Sequence, residues 1–308
     1  MEEQLAWSGI YPAALTMFDA DGGLDASATA EHIEYLIGEG VHGIVIAGTS
    51  GEFVSLDEAE RRRVIEVAVR AVDGRVPLIA GTGSASTAAT VKLTREAAAM
   101  GADGVIVILP YYLRPTPSEV MEHLRAVGRA STVPLMVYNN PTNSGAPPLD
   151  AADLATLFHE GWAQAVKSTF PTVHQVHEAR EATDERFRVF YGSFMAPLEG
   201  LAGGAHGWIS GVLNVAARDA VLLYEAVAAS DLAEARAVWR RILPIKYLYT
   251  RQPLGQVGDL VIYRAMLRLR GLAGGFSRAP LRELTPAQVE SLRSILEPTG
   301  LLEPVGAV

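Results

Sequence analysis

The chain of 308 residues has no cysteine. Disulfides, thiolate nucleophiles and cysteine-held metal are thereby excluded, and the redox compartment is left open. Lysine is nearly as scarce. Of 26 basic residues only Lys92, Lys167 and Lys246 are lysines; the others are arginine. Positive charge is also short overall, with 35 acidic residues, a formal net charge of −9 and no basic stripe. Nucleic acid is therefore not an expected partner. No apolar run reaches membrane-spanning length, so no membrane partner is expected. The opening Met1-Glu2-Glu3-Gln4 has neither the basic start nor the apolar stretch of a signal peptide. A soluble cytoplasmic protein is the expectation.

What is present is apolar surface: 49% of the residues are hydrophobic, enough for a large core. Short apolar runs at 13–17, 43–47, 77–80, 104–109, 134–138, 163–166, 188–191 and 207–209 alternate with amphipathic segments such as 27–38, 56–72, 87–100, 118–130 and 151–159. Eight such alternations predict an α/β fold, a (β/α)8 TIM barrel with a parallel sheet closed on itself. The segments Gly40-Val-His-Gly-Ile-Val-Ile, Gly101-Ala-Asp-Gly-Val-Ile-Val and Gly204-Ala-His-Gly-Trp-Ile-Ser form a weak internal repeat. In each, one glycine stops a helix and a second precedes a buried strand. The alternative is a doubly wound open sheet, but the phosphate-binding glycine fingerprint is missing after the first strand. After about Asn214 the strands cease. Segments 216–229, 232–248, 260–269 and 286–296 read as helices. The expected division is a catalytic barrel over 1–215 and a C-terminal helical appendage over 216–308, packed on the barrel.

A barrel keeps its chemistry at the C-terminal ends of its strands. Those ends carry Gly48-Thr49-Ser50-Gly51-Glu52, Leu109-Pro110-Tyr111-Tyr112, Tyr138-Asn139-Asn140-Pro141, Val166-Lys167-Ser168-Thr169 and, on the last strand, Ile209. Lys167 closes an apolar strand, where desolvation disfavours the ammonium form and lowers the pKa. A neutral amine attacks a ketone to give an imine, which then serves as an electron sink. Arginine cannot do this, because its guanidinium stays protonated. The ordinary alternative is a buried ion pair or a snorkelling lysine. Tyr138 ends the neighbouring strand and can carry protons to and from the imine, with Thr49 easing the phenolate; otherwise it is a core residue. The turn Gly48-Thr49-Ser50-Gly51 can aim backbone N–H groups at a carboxylate, or is simply tight. His174 and His177 share a helical face but lack further ligands at metal-site spacing, so no metal is expected.

At these strand ends the sequence resembles the dihydrodipicolinate synthase / N-acetylneuraminate lyase family. The likeness runs through Gly48-Thr49-Ser50-Gly51-Glu52, Pro110-Tyr111-Tyr112, Tyr138-Asn139-Asn140-Pro141, Val166-Lys167 and Arg278-Ala279-Pro280-Leu281, covering nearly the whole chain. It implies a (β/α)8 barrel, a pyruvate imine on Lys167 with no other cofactor, and a homotetramer. It further implies Tyr138 as proton relay, Thr49 and Ser50 on the substrate carboxylate, and Tyr112 reaching into a neighbouring subunit's site. Departures from the family bear on the second substrate. The synthases' carboxylate-holding arginine, two residues after the proline of the tyrosine motif, is Asn143 here. Their glutamate after the lysine is Ser168. Thr169 looks like the threonine of sugar-acid aldolases, but the acidic residues those enzymes place near strand seven are replaced by Gly192-Ser193-Phe194-Met195. Apolar lining compensates buried sugar hydroxyls poorly.

The function expected is a class I Schiff-base lyase or aldolase. It joins pyruvate or a related 2-oxo acid to an aldehyde, or cleaves the adduct, and the aldehyde is neutral or partly apolar. The alternatives are a 4-hydroxy-tetrahydrodipicolinate synthase acting on pyruvate and aspartate semialdehyde with a relocated carboxylate clamp, a 2-oxo-acid dehydratase or hydratase-aldolase, and a non-catalytic barrel that binds oxo acids.

Overall fold

The computed structural model describes residues 5–303. Eight parallel strands follow one another around a barrel: β1 (Gly9–Pro12), β2 (Ile44–Ile46), β3 (Leu78–Gly81), β4 (Gly104–Ile108), β5 (Leu135–Asn139), β6 (Ala165–Ser168), β7 (Arg188–Tyr191) and β8 (Gly207–Ser210). The ladder runs from β2 through β8 to β1. The β1–β2 seam is held by the bridge between Ala13 and Val45, where the Ala14 amide donates to the Val45 carbonyl at 2.8 Å. Between the strands lie α1 (Ala26–Gly38), α2 (Glu58–Val72), α3 (Thr87–Met100), α4 (Pro117–Ala130), α5 (Ala151–His159), α6 (His174–Ala182) and α7 (Pro197–Ala202). Then come α8 (Leu213–Ala228), α9 (Leu232–Thr250), α10 (Asp259–Leu269) and α11 (Pro286–Leu296). The expected (β/α)8 TIM barrel is present. Among the described residues no helix is long and apolar enough to cross a membrane.

Local chemistry sets the boundaries. Asp57 and Glu60 form a reciprocal capping box at the start of α2, and Thr116 with Glu119 does the same for α4, where Pro117 takes the first helical position. These side chains satisfy amides that have no partner within the helix. Gly101 ends α3 at φ +101°, a conformation only glycine adopts without strain. The first strand differs from expectation: β1 covers Gly9–Pro12, upstream of the run 13–17. Residues 9–18 are all buried, so no alternation marks where pairing stops.

Strand side chains alternate between two cores. One parity (Tyr11, Val45, Ile79, Ile106, Met136, Ala165, Phe190 and Ile209 among them) fills the barrel interior. There Tyr11 and Phe190 meet edge to face, 5.1 Å apart. The other parity joins the inner faces of the helices in a larger apolar layer. Lys167 shares the interior parity with Ala165, two residues earlier, and is carried by its strand to the mouth.

The C-terminal helices are fastened to that mouth. Arg264 of α10 is fully buried; it donates to the Thr16 carbonyl at 2.8 Å and pairs with Glu52 at 2.6 Å. Arg278 donates to the Ser55 carbonyl and to Glu60 Oε2, both at 2.7 Å. Asn214, at the start of α8, donates to the Ala13 carbonyl and accepts from the Leu15 amide, fixing the segment after β1.

Candidate active site

β5 and β6 lie in register, with Tyr138 opposite Lys167. Both are buried, at 8% and 6% exposure. Lys167 Nζ stands 4.0 Å from the centroid of the Tyr138 ring. No carboxylate pairs with Lys167 among the described residues, which removes the buried ion pair as its reason for being there. Burial alone would raise the Tyr138 phenol. The charge of Lys167 and the hydrogen bond from Asn140 Nδ2, at 2.9 Å, outweigh it, and the pKa falls below the ordinary phenol value. Thr169 Oγ1 meets no partner at hydrogen-bond distance, yet lies near enough to favour the phenolate as well. A phenol biased in this way, beside an amine, is equipped to move protons.

Asn140 has a second task. Its Oδ1 accepts from the amides of Thr142 and Asn143, so one side chain orients the phenol and turns the chain that delivers Asn143. Across the mouth, the turn 48–51 runs between Ala47 and Glu52, both at φ +53°. Such backbone is strained outside glycine and needs holding. Arg264 and the Arg278 amide hold Glu52 from beneath. The amides of Thr49 and Ser50 are engaged in no hydrogen bond among the described residues, so the turn keeps donors for an anion.

These groups open on one cavity of about 240 Å³. Lys167, Tyr138, Gly48, Thr49, Ser50, Thr169, Asn143 and Phe194 all line it; the hydrogen bond to the Tyr138 phenol comes from Asn140 where Thr49 was expected to supply it. Four others stand elsewhere. Ser168 faces outward, because consecutive strand residues point to opposite faces; its hydroxyl donates to Gln175 at 2.7 Å in a buried network with Asn139 and the Leu149 carbonyl. Ile209 is wholly buried in the interior core below the cavity. Gly51 lies behind the turn, where a Cβ would come within 3.1 Å of Thr16 Oγ1 and 3.2 Å of the Ala14 carbonyl. Tyr112 is 92% exposed at φ +72° and points away from this chain's own cavity. Met195 is likewise exposed, beyond Phe194.

The lining also includes residues not singled out from the sequence. Gly192 lets Lys167 and Thr169 come close: a Cβ there would clash with Thr169 Oγ1 and stand 3.0 Å from Lys167 Cγ. Asp259 and Tyr263 arrive from α10, whose sequence gives no sign that it reaches the mouth. Phe194 stacks on Trp208, with Trp239 and Tyr249 edge-on at about 6 Å. Arg61 comes from α2 and did carry a signal. It shares a helical stripe with Val64, Ile65 and Ala68, all buried, while Arg62 and Arg63 are solvated. Among the described residues no group of three His, Cys, Asp or Glu is placed to hold a metal ion.

Comparison with known proteins gives the family. The profile of the dihydrodipicolinate synthetase family matches residues 6–299. An uncharacterized DapA-like lyase of Halobacterium salinarum is 37% identical over 301 residues, 97% of this chain and 96% of that protein. A 4-hydroxy-tetrahydrodipicolinate synthase of Moorella thermoacetica is 34% identical over 300 residues, covering 97% and 100%. Among solved structures, YagE, a prophage protein of E. coli K12 crystallised with pyruvate, superposes with a TM-score of 0.88 at 29% identity, covering 96% of this chain and 99% of that one. The chain belongs to the dihydrodipicolinate synthetase family and is a carbon–carbon lyase of its Schiff-base aldolase type.

Proposed function

We propose that Lys167 forms an imine with pyruvate or a closely related 2-oxo acid, and that the enzyme makes or breaks a C–C bond between that imine's C3 and a neutral, partly apolar aldehyde. The observation carrying this reading is Lys167 itself: a buried amine without a carboxylate partner, over a phenol, facing a cavity whose far wall keeps free amides. The Thr49–Ser50 turn receives the 2-oxo acid's carboxylate. Tyr138 transfers protons during imine formation and at the aldehyde oxygen, held in place by Asn140. No cofactor beyond the covalent imine is needed for these steps.

The acceptor end supports the second half of the proposal. Asn143, Thr169, Ser193 and Phe194 lie there, and the carboxylate lining the cavity is that of Asp259. Arg114 and Arg251, the cations that could have replaced the missing clamp, are not part of the lining; Arg251 stacks on Tyr247 at 3.8 Å. At this end a desolvated carboxylate on the aldehyde would meet an amide and an acid where it needs a cation; the lining's cation besides Lys167, Arg61, stands over β3, across the barrel from Phe194. The second reading, supported by the Moorella relative's activity, is pyruvate with aspartate semialdehyde.

Borohydride with pyruvate should add a stable mass to Lys167, and Lys167→Arg should lose both adduct and turnover. Labelling of Lys92 or Lys246 instead would refute the assignment. With the lysine established, kcat/KM is compared for aspartate semialdehyde, a polyhydroxylated aldehyde and an apolar aldehyde. A wide margin for aspartate semialdehyde would replace the first reading by the second.

A further inference from the structure

Three arginines lie deep in the mouth region, and two have carboxylates. Arg264 is paired with Glu52 and Arg278 with Glu60. Arg61 is only 6% exposed and has no acidic partner among the described residues. Its Nη2 donates to the Gly81 carbonyl at 2.6 Å and the Gly83 carbonyl at 3.0 Å, which braces the chain leaving β3. Its charge centre lies 4.8 Å from the centroid of the Phe53 ring. The titratable group facing it is the Tyr111 phenol. Its Nε is buried and has no hydrogen-bond partner. Desolvation pushes its pKa down to about 10, still well above neutrality. The guanidinium is therefore charged, dry on one side, short of an acceptor, and part of the wall of the cavity that holds Lys167.

Two carbonyl dipoles and a ring face do not neutralise a full charge, and a buried unpaired cation is strongly unfavourable. A carboxylate supplies what is missing: a negative charge, and oxygens spaced for a guanidinium edge. Arg61 hangs over β3, whereas Phe194 follows β7 on the opposite side of the barrel, and Thr49 and Ser50 follow β2. We propose that Arg61 is a second anion site of the cavity, which takes the carboxylate of a small organic acid bound together with the 2-oxo acid on the turn at 48–51.

The inference rests on the Lys167 reading only for its preparation step. Wild-type enzyme is trapped with pyruvate and borohydride, which fills the first carboxylate position covalently. Acetate and succinate, which have no ketone, are then titrated by calorimetry. One equivalent of anion should bind the trapped enzyme, and Arg61→Gln should weaken that binding about tenfold or more. Arg61→Lys, which keeps the charge, should bind between the two. A crystal of the trapped wild type with succinate should show the anion on the cavity-facing edge of the Arg61 guanidinium. Absence of binding to trapped wild type overturns the proposal, as does binding unchanged in Arg61→Gln or an anion located elsewhere. If Arg61→Gln does not fold, the wild-type titration and the crystal still decide. Failure of pyruvate to label Lys167 is a separate result, and the titration is then run on untreated enzyme with one additional site expected at the turn.

Discussion

Tyr138 and its partners show how few atoms the proposed chemistry requires. The phenol is lowered against the direction of its own burial by Lys167 and by Asn140, so removing one oxygen should be felt in rate far more than in stability. Tyr138→Phe keeps the ring and leaves Asn140 Nδ2 without a partner, a loss of about 1–3 kcal/mol. Turnover should fall on the order of 10²- to 10⁴-fold, the range for acid–base catalysis. Turnover close to wild type in a folded Tyr138→Phe would end the relay role. Gly192 is tested by Gly192→Ala. The added methyl must displace Thr169 or Lys167, and a shift of about 1 Å can cost about 10²-fold. Borohydride trapping of that variant should be slower by a comparable factor; an unchanged trapping rate would show that the loop yields instead. Lys167 and Tyr138 were legible because both end buried runs. Ser168, a candidate for substrate contact because it follows Lys167, is turned away from the cavity by the two-residue period of the strand. Asp259 and Tyr263 were illegible, since nothing local in α10 says which part of the barrel it covers.

Elements are joined by a small polar cluster that titrates. His32 of α1 is buried and bonded through Nε2 to Asn214 Oδ1 at 2.7 Å, and Asn214 links α8 to the segment after β1. That oxygen already accepts from the Leu15 amide, so Nε2 carries the proton and Nδ1 is bare, without a partner. Protonating Nδ1 would bury a charge near Arg264; burial first and that guanidinium second push the pKa down from 6.5 to about 4. The unfolded chain takes up this proton near pH 6.5 and the folded one resists to about 4, so stability falls as pH drops through that window and is unaffected above it. At about 1.4 kcal/mol per unit the loss approaches about 3 kcal/mol. Denaturant unfolding at pH 7.5 and 4.5 should show it, and His32→Gln should reduce the difference between the two pH values. The same difference in both proteins would assign the acid sensitivity elsewhere. At this scale the sequence was informative. The starts of α3, α5 and α11 fall where periodicity and capping residues put them. β1 was displaced because its surroundings are apolar on every side.

The whole molecule presents an apolar surface beside its mouth. Val54 is 71% exposed, Tyr112 92% and Leu113 63%. The two segments that carry them are brought together where Phe53 and Tyr111 meet edge to face at 5.8 Å. Tyr112 also sits at φ +72°, a left-handed conformation that a tyrosine does not adopt without something to hold it. Isolated exposed hydrophobics are ordinary, but several on two neighbouring segments, with strained backbone beside an active site, point to an interface. The family resemblance implies a homotetramer, so the partner expected is a second copy of this chain, with Tyr112 directed at the neighbouring cavity. Sedimentation of the wild type at micromolar concentration should give a tetramer. Val54→Asp with Leu113→Asp should give smaller species, because a desolvated carboxylate on each side of a symmetric contact repels its mate. Tyr112→Phe separates the two parts of this reading. It preserves the apolar contact, so assembly should persist while turnover falls if the hydroxyl serves the neighbouring site. A wild type that sediments as a monomer with full turnover would remove both the interface and the shared site, and Tyr112 would then be a solvent-exposed loop residue.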